Sequence, residues 1–311
     1  MPRLFHSKLI LLLRVWAIFL AMGMSFCATG AENDHIDFTQ LEKYAIFSEA
    51  AYLSESQVKE IVQSHGYLLT RHSDIPGLAV TYYLLTNDQT KHQVIAIRGT
   101  FNIANTLLNM DARLVTDPHT GVRVHRGFSM AAQVIYEEVK PLLKKGYTVS
   151  TTGHSLGGAV ALVLAMYLDL DGADIDKVVT FGQPKVTNVA GADKFADLGV
   201  YRLVTPEDIV PLLPPLDAMD IKDLDIYWHL GKEVILLADK RYALLDGLAS
   251  MMRIANFTQQ PLTESNLQNH QMARYRALLQ SKLDGADQVS HEIDLNLFNL
   301  FGGDKETEQQ Q

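Results

Sequence analysis

The sequence predicts a protein of the α/β class, with a mostly parallel sheet covered by helices on both faces. β-forming runs alternate with helical segments along most of the chain, as in parallel strands joined by crossover helices. A glycine-flanked serine, Ser155, lies between one such β-forming run and an apolar helical segment. Hydrophobic residues make up 47% of the 311 residues, which is enough for a large core.

Hydrophobic spacing and turn residues predict the elements in chain order. They are a helix at 38–62, strands at 78–85 and 92–97 joined by a turn, an irregular insert at 101–118, a helix at 128–143, the strand, serine turn and helix at 147–168, strands at 178–182, 200–205 and 228–237, and a helix at 262–279. Because no linker or internal repeat interrupts this series, we expect one domain over 32–303, followed by a polar tail at 304–311.

Residues 1–31 have the pattern of a secretory signal peptide. Basic residues accompany an uncharged, mostly apolar run at 15–24, and small residues at 28–31 offer a cleavage position. The alternative is an uncleaved membrane anchor, because the apolar stretch from Leu9 is long enough to span a bilayer, although Arg14 interrupts it. The expected location is therefore secreted or periplasmic, with a membrane-anchored form as the alternative.

Charge and cysteine content exclude several classes of function. The net charge of −9 argues against a nucleic-acid partner and against simple electrostatic capture by anionic lipid. The one cysteine, Cys27, lies within the predicted signal peptide, and Phe26 before it disfavours a lipoprotein anchor. The mature chain would have no thiol, which excludes disulfides, cysteine metal sites and a cysteine nucleophile.

The glycine-flanked serine has the G-x-S-x-G pattern, here Gly153-His-Ser-Leu-Gly157. A turn that lifts one serine above the end of a sheet forces strained backbone angles on that serine. Side chains two residues to either side would then collide with the neighbouring strand and helix, so both positions favour glycine. We therefore predict that Ser155 is a nucleophile. The alternative is a glycine-rich turn that only connects strand and helix.

A serine nucleophile needs a base and a carboxylate that orients the base. For a serine on such a turn, the carboxylate and then the histidine follow it in the chain. Asp208 lies directly beyond the predicted strand at 200–205 and is the candidate carboxylate, with Glu207 as its nearest rival. Asp217 and Asp220 are weaker candidates in an expected surface loop.

The base that accepts the serine proton is expected to be a histidine. His270, before the last helical turns, is the candidate, and His229 at the start of a β-forming run is its rival. His154 belongs to the serine turn and cannot easily fold back onto its neighbour's oxygen, so a packing or turn role is expected. His125 is expected to be structural as well.

Acyl transfer through a tetrahedral intermediate also needs an oxyanion hole, whose N–H donors are fixed before the charge develops. One donor should be the backbone N–H of Leu156, the residue after the nucleophile. The other should come from the turn Arg98-Gly-Thr100, where Thr100 offers both an amide and a hydroxyl group. A plain turn at a strand end is the alternative for that segment.

These residues form blocks that resemble the class 3 lipases, the fungal triacylglycerol lipase type of the α/β-hydrolase superfamily. The blocks are Ile95–Thr100, Val124–Phe128, Gly153–Gly158, Val204–Pro211 with Leu213–Pro215, and Tyr227–Glu233. They occur in order over residues 78–275, which is far more specific than the serine pentad alone. The resemblance implies Ser155 as nucleophile, Asp208 as orienting acid, His270 as base, and Thr100 with Leu156 as oxyanion hole.

The resemblance also implies a short helical lid directly after the Arg-Gly-Thr block, here residues 102–114. Its apolar side chains would face the acyl pocket when the lid is closed and a lipid surface when it is open, which gives transient contact with a membrane or lipid interface. An ordinary surface helix with a buried stripe is the alternative.

The sequence therefore predicts a carboxylic-ester hydrolase that acts on lipid esters through an acyl-enzyme, without metal or organic cofactor. Two alternatives use the same scaffold: hydrolysis of the sn-1 ester of a phospholipid, and transfer of the acyl group to an alcohol other than water. A third alternative is a non-catalytic lipid-binding protein that keeps the fold.

Overall fold

The structure, a computed structural model, describes residues 36–75, 77–78, 80–100, 113–214, 226–247, 249–251 and 264–290. Apart from residues 36, 37 and 226, all of these belong to one compact unit formed by 38–215 and 227–311. The predicted signal peptide, the polar tail and all of the predicted lid except Arg113 and Leu114 lie outside the described residues.

The helices and strands are as follows. The helices in the described ranges include α1 (Phe38–Ala50), α2 (Glu55–Ser64), α3 (Arg126–Val139), α4 (Leu156–Leu170), α5 (Val189–Lys194), α6 (Glu264–Asn269) and α7 (Met272–Gln280), with short 3₁₀ helices at Lys140–Leu142 and Val210–Leu212. The strands are β1 (Leu68–Ile75), β2 (Val80–Asn87), β3 (His92–Arg98), β4 (Leu114–Thr116), β5 (Arg123–His125), β6 (Thr148–His154), β7 (Asp174–Phe181), β8 (Thr187–Asn188), β9 (Val200–Val204), β10 (Tyr227–Trp228), β11 (Lys232–Leu236), β12 (Arg241–Leu245) and β13 (Asp287–Gln288).

The described strands form a main sheet in the order β1-β2-β3-β6-β7-β9-β11-β12-β13. Its centre, from β3 to β11, is parallel, whereas β1, β2 and β3 pair antiparallel and β12 pairs antiparallel with β11. Short strands β10, β8, β5 and β4 form a separate antiparallel sheet. The predicted mostly parallel sheet with an antiparallel start is confirmed.

Helices cover both faces of the parallel centre, as alternate residues of β6 demonstrate. Ser150 accepts a hydrogen bond from the Tyr44 hydroxyl of α1 at 2.9 Å. The Thr152 hydroxyl is hydrogen-bonded to the Ser48 hydroxyl, also of α1, at 2.8 Å. Thr151, between them, donates to a carbonyl of α4 at 2.9 Å. Since successive side chains of a strand point to opposite faces, α1 and α4 lie on opposite sides of the sheet.

Helix α4 lies within the core. Its side chains from Ala159 to Leu168 are at most 1% exposed, and they pack against the sheet and against α3. An apolar surface on all sides is what a helix needs when it is covered by sheet on one side and by another helix on the other. This burial fixes the axis of α4, and with it the position of the serine turn at its N-terminus.

Three predicted elements differ from the structure. The helix at 38–62 is two helices, α1 and α2, because Ser54 with Gln57 starts a new helix through a capping box. The strand at 228–237 is interrupted at Gly231, whose φ is +79° and where a Cβ would lie 2.4 Å from the Val200 side chain. The helix at 262–279 is broken between α6 and α7, at His270.

Six of the described strands were not predicted, namely β1, β4, β5, β8, β12 and β13, and β1 is the longest of them. β1 is a partly exposed edge strand with the sequence Leu-Leu-Thr-Arg-His-Ser-Asp-Ile. It lacks the alternation of apolar and polar residues that indicates a half-buried strand. It is a strand because it pairs with β2, and the sequence gives no sign of that pairing.

Candidate active site

The serine turn has the strained geometry that its glycines predict. Ser155 joins β6 to α4 with φ of 58° and ψ of −130°, a left-handed conformation that costs a non-glycine residue about 1–3 kcal/mol. A Cβ on Gly157 would lie 2.2 Å from the Ile97 carbonyl oxygen, and one on Gly153 would lie 2.5 Å from the Gly157 backbone. Neither position has room for a side chain. Because both residues are glycine, the turn can pack closely against β3 and α4.

Asp208 and His270 form a hydrogen-bonded pair beyond the carboxyl ends of the central strands. The distance from His270 Nδ1 to Asp208 Oδ2 is 2.8 Å, and both side chains are almost fully buried. Two further donors reach the same carboxylate: the Tyr275 hydroxyl at 2.5 Å from Oδ2 and the Val210 amide at 2.9 Å from Oδ1. The Asp208 carboxylate thus accepts three hydrogen bonds, which fix its position.

These contacts set the charge on Asp208. Burial alone raises the pKa of its carboxyl group, but the adjacent His270 and the hydrogen bonds from His270, Tyr275 and the Val210 amide outweigh burial and hold that pKa below its usual value. Asp208 is therefore ionised throughout the neutral range. A buried carboxylate of this kind can hold an imidazole in the Nδ1–H tautomer and stabilise its cation.

Gly182, at the end of β7, allows the pair to approach the serine turn. Its φ is +57°, and a Cβ there would lie 2.8 Å from both Asp208 Oδ2 and His270 Nδ1. The residue before it, Phe181, accepts a hydrogen bond from the Ser155 amide at 2.8 Å. The end of β7 therefore binds the serine turn through the Phe181 carbonyl. It also packs against the Asp208–His270 pair, because Gly182 has no side chain.

The reactive atoms of Ser155 and His270 are both buried. Within the described residues, neither Ser155 Oγ nor His270 Nε2 has a hydrogen-bond partner, so these two atoms do not hydrogen-bond to each other. In enzymes without substrate this bond is often long and tightens only when the substrate binds. Each atom retains its full capacity to interact with a group placed between them.

The candidate oxyanion donors flank the turn. Leu156 is the first residue of α4, where backbone N–H groups have no partner within the helix and the helix dipole favours negative charge. Thr100 follows β3 and is half-buried. Gly99 lies so close to the turn that a Cβ there would be 2.6 Å from the His154 carbonyl oxygen. The end of β3 therefore lies against the serine turn and the first turn of α4.

The rival residues have other contacts. Glu207 is exposed and accepts hydrogen bonds from Ser265 and Asn269, at 2.9 and 2.8 Å. His229 donates from Nε2 to the Pro211 carbonyl at 2.7 Å, and His125 accepts from amides at the start of α3. Asp217 and Asp220 lie outside the described residues.

Sequence reasoning missed three residues of this site: Tyr275, Gly182 and Tyr52. Tyr275 donates to Asp208, Gly182 leaves space for the pair, and Tyr52 contacts His154. Tyr275 and Tyr52 are apolar-face aromatic residues of helical segments, which the sequence does not distinguish from core residues. Gly182, which ends a predicted strand, was the one with a usable signal, because glycine at a strand end often marks close approach of another group.

The described part of the chain has no group of three or more His, Cys, Asp or Glu side chains that could hold a metal ion. In the same residues, no helix has the length and apolar character needed to cross a membrane.

His154 gives the site a measurable pH dependence of stability. Burial, together with the nearby His270, lowers the pKa of its imidazole to about 3. Between about pH 6.5 and pH 3, the unfolded chain therefore binds a proton at this residue that the folded protein does not bind, so stability is lost as the pH falls. We expect the wild type to lose about 1.4 kcal/mol more per pH unit than His154→Gln across this window.

Urea unfolding at a series of pH values measures this difference. Equal slopes of unfolding free energy against pH for the two proteins would contradict a buried, neutral His154.

The parallel sheet and the serine turn after β6 define the class of this protein as an α/β-hydrolase fold. A solved structure of a lipase from Yarrowia lipolytica (nonglycosylated LIP2 lipase) matches it with a TM-score of 0.56 and 26% sequence identity, over 65% of this chain and 81% of that one. A solved lipase from Rhizopus microsporus var. chinensis matches with a TM-score of 0.55 and 26% identity, over 67% and 75% of the two chains.

Residues 94–218 match the family model described as lipase (class 3). Secreted mono- and diacylglycerol lipase 1 of Fusarium solani is 32% identical over 188 residues, which cover 55% of this chain and 54% of that protein. Residues 94–218 therefore carry the class 3 lipase pattern, which confirms the resemblance that the sequence blocks predict. The chain spans about half the length of the curated relatives that it matches.

Proposed function

We propose that this protein is a serine ester hydrolase that acts on lipid esters, with Ser155 as nucleophile, His270 as base and Asp208 as the orienting carboxylate. The observation that carries the proposal is the buried 2.8 Å hydrogen bond from His270 Nδ1 to Asp208, next to the strand end that also binds the Ser155 backbone. Nδ1 is engaged in this bond, so Nε2 is the nitrogen available for a proton of Ser155.

The reaction follows from these positions. Ser155 Oγ attacks the ester carbonyl carbon while His270 Nε2 takes its proton, and the carbonyl oxygen becomes an oxyanion facing the Leu156 amide and Thr100. The tetrahedral intermediate collapses, the alcohol leaves with the proton from His270, and the acyl group stays on Ser155. Water then attacks the acyl-enzyme with His270 as base, which releases the carboxylic acid and restores Ser155. Each oxyanion donor typically contributes about 3 kcal/mol to the transition state.

The substrate class rests on the family. The relative from Fusarium solani is named a secreted mono- and diacylglycerol lipase, and the solved structures that match are lipases. We infer from these that glyceride esters are the substrates of this chain and that it is exported, as a secreted or periplasmic protein. The lid and its contact with a lipid interface belong to the same proposal, since residues 101–112 lie outside the described residues.

A substrate panel tests the proposal. Purified mature protein is incubated with mono-, di- and triacylglycerols, a phosphatidylcholine, and a p-nitrophenyl ester, each with water alone or with an added alcohol. We expect release of free fatty acid from glycerides, and loss of all release in Ser155→Ala. Acyl transfer to the added alcohol in preference to water would identify a transacylase, and preference for phosphatidylcholine would identify a phospholipase. A wild-type protein that neither hydrolyses any ester nor reacts with a fluorophosphonate would be a lipid binder.

A further inference from the structure

His154, the residue before the candidate nucleophile, holds the main chain of the candidate base. Its Nε2 lies 2.6 Å from the backbone carbonyl oxygen of His270, and the two imidazole rings are 4.5 Å apart between centroids. Its Nδ1 lies 2.9 Å from the hydroxyl group of Tyr52, which follows the end of α1. Both nitrogens of this 7% exposed side chain are thus engaged, and neither faces Ser155 Oγ as a base would.

The donors and acceptors in this series of hydrogen bonds can be assigned from the groups at its two ends. A carbonyl oxygen only accepts, so His154 Nε2 carries the proton and Nδ1 is an acceptor. Tyr52 must then donate to Nδ1, and its oxygen accepts from the Gly99 amide. The resulting order is Gly99 N–H to Tyr52, Tyr52 O–H to His154, and His154 Nε2–H to the His270 carbonyl.

The protonation of the two side chains supports this arrangement. Burial lowers the pKa of His154 to about 3 and raises the pKa of Tyr52 to about 12, so the first stays neutral and the second keeps its proton at all moderate pH values. A neutral ring also suits the site, because the proposed reaction places a positive charge on the ring of His270, and a second cation 4.5 Å away would oppose it.

We propose that His154 and Tyr52 are positioning residues that fix the His270 backbone relative to the serine turn and to the Gly99–Thr100 strand end. This inference rests on the proposed ester hydrolysis, and it gives the histidine of the pentad a role in that reaction. One chain of hydrogen bonds joins the candidate oxyanion loop, the nucleophile turn and the candidate base, which come from β3, β6 and the break between α6 and α7.

The segment around His270 needs such a constraint because it is the break between two short helices. Besides the Asp208 bond to its ring, the described contacts on this segment include Thr205 donating to the Asn269 carbonyl at 3.2 Å and Asn266 donating to the Glu207 carbonyl at 2.9 Å. These bonds come from the loop after β9. His154 is the contact that comes from the serine turn, so it fixes the distance between base and nucleophile most directly.

The chain offers a matched control at the other end of β3. There, the Tyr67 hydroxyl lies 2.7 Å from His92 Nδ1, and His92 Nε2 lies 2.9 Å from Ser150 Oγ. This is the same tyrosine–histidine arrangement, with His92 as buried as His154, but it lies at the opposite end of the strand from Gly99. Substitutions there cost similar interactions without touching the candidate site.

The experiment compares His154→Leu, His154→Gln and Tyr52→Phe with His92→Leu and Tyr67→Phe. For each variant, the melting temperature, the kcat and KM for a p-nitrophenyl ester, and the downfield proton NMR signal of the Asp208-bonded imidazole Nδ1–H are measured. We expect His154→Leu to lower kcat about 10- to 100-fold with little change in KM, because a displaced base slows the chemical step. The Nδ1–H signal should broaden or disappear in this variant.

His154→Gln can still donate to the His270 carbonyl through its amide, so it should restore most of kcat and the NMR signal. Tyr52→Phe should lie between these two. His92→Leu and Tyr67→Phe should lower the melting temperature by a comparable amount while kcat and the signal stay at the wild-type level. A purely structural role for His154 would make it indistinguishable from His92 in kcat and in the signal, and this result would overturn the proposal.

The two proposals fail in different ways. If the wild type hydrolyses no ester, the proposed function is wrong, but the Nδ1–H signal still reports whether His154 holds His270 in place. If the wild type is active and His154→Leu keeps full kcat and an unchanged signal, the positioning role is wrong and the proposed hydrolase remains. If His154→Leu does not fold, His154→Gln and Tyr52→Phe carry the comparison: wild-type kcat and signal in Tyr52→Phe would count against the role.

Discussion

Replacing Ser155 by alanine is expected to lower kcat for ester hydrolysis about 10⁶-fold, because the attacking oxygen is lost and only binding and the oxyanion donors remain. Ser155 Oγ is buried and makes no hydrogen bond with any described residue, so its removal costs the fold little. Alanine adopts the left-handed backbone of the turn with the same difficulty as serine. The measurement is turnover of a p-nitrophenyl ester together with covalent labelling by a fluorophosphonate.

Ser150 provides the control for this change. It lies on the same strand, β6, is fully buried, and accepts a hydrogen bond from Tyr44 at 2.9 Å. Ser150→Ala should reduce the melting temperature but keep turnover and labelling, since Ser150 lies near the opposite end of the strand. Labelling that persists in Ser155→Ala would assign the nucleophile to another residue.

Replacing Asp208 by asparagine is expected to lower kcat about 10⁴-fold through the wrong tautomer of His270. The carboxylate now accepts from three donors, and asparagine has one oxygen and an NH₂ group in its place. When the NH₂ group faces His270, Nδ1 must become an acceptor and the proton moves to Nε2. That nitrogen can then no longer take a proton from Ser155. Turnover and the rate of fluorophosphonate labelling should fall together.

Glu207→Gln is the matched control, since Glu207 is the neighbouring acidic residue. Its carboxylate binds Ser265 and Asn269 rather than an imidazole, and glutamine keeps an oxygen that can accept from them. We expect kcat within about 10-fold of the wild type, which is what a small displacement of α6 would cause. A large loss in Glu207→Gln with near-normal activity in Asp208→Asn would exchange the roles of the two residues.

The parts of the fold that sequence could predict are those with a strong local signal. The turn at Ser155 was predictable because its two glycines are required by close contacts with β3 and with the turn itself. The central strands were predictable because they are runs of β-forming residues, apolar at the centre of β3 and rich in threonine in β6. β1 was not, since an exposed edge strand needs no apolar pattern and is defined by its pairing with β2.

For the site, the type and order of the residues could be predicted, but not their mutual geometry. Asp208 was a candidate because it follows a strand, and only the structure shows that it, rather than Glu207, contacts His270. No proline or glycine near His270 predicts the break in the last helix. The contact of Tyr52 with His154 joins residues 102 positions apart, and such a pairing leaves no trace in the spacing of one sequence.

The two terminal regions of the described chain meet beside the site. Arg276 of α7 donates to Glu42 and Glu49 of α1, at 2.9 and 2.5 Å, and Tyr275 next to it holds Asp208. The segment 94–218 that carries the family pattern contains neither helix, and it ends before His270. Any shortened version of this protein meant for expression or engineering therefore has to retain both outer helices, because a truncation that removes α1 or α7 would disturb the candidate site from a distance.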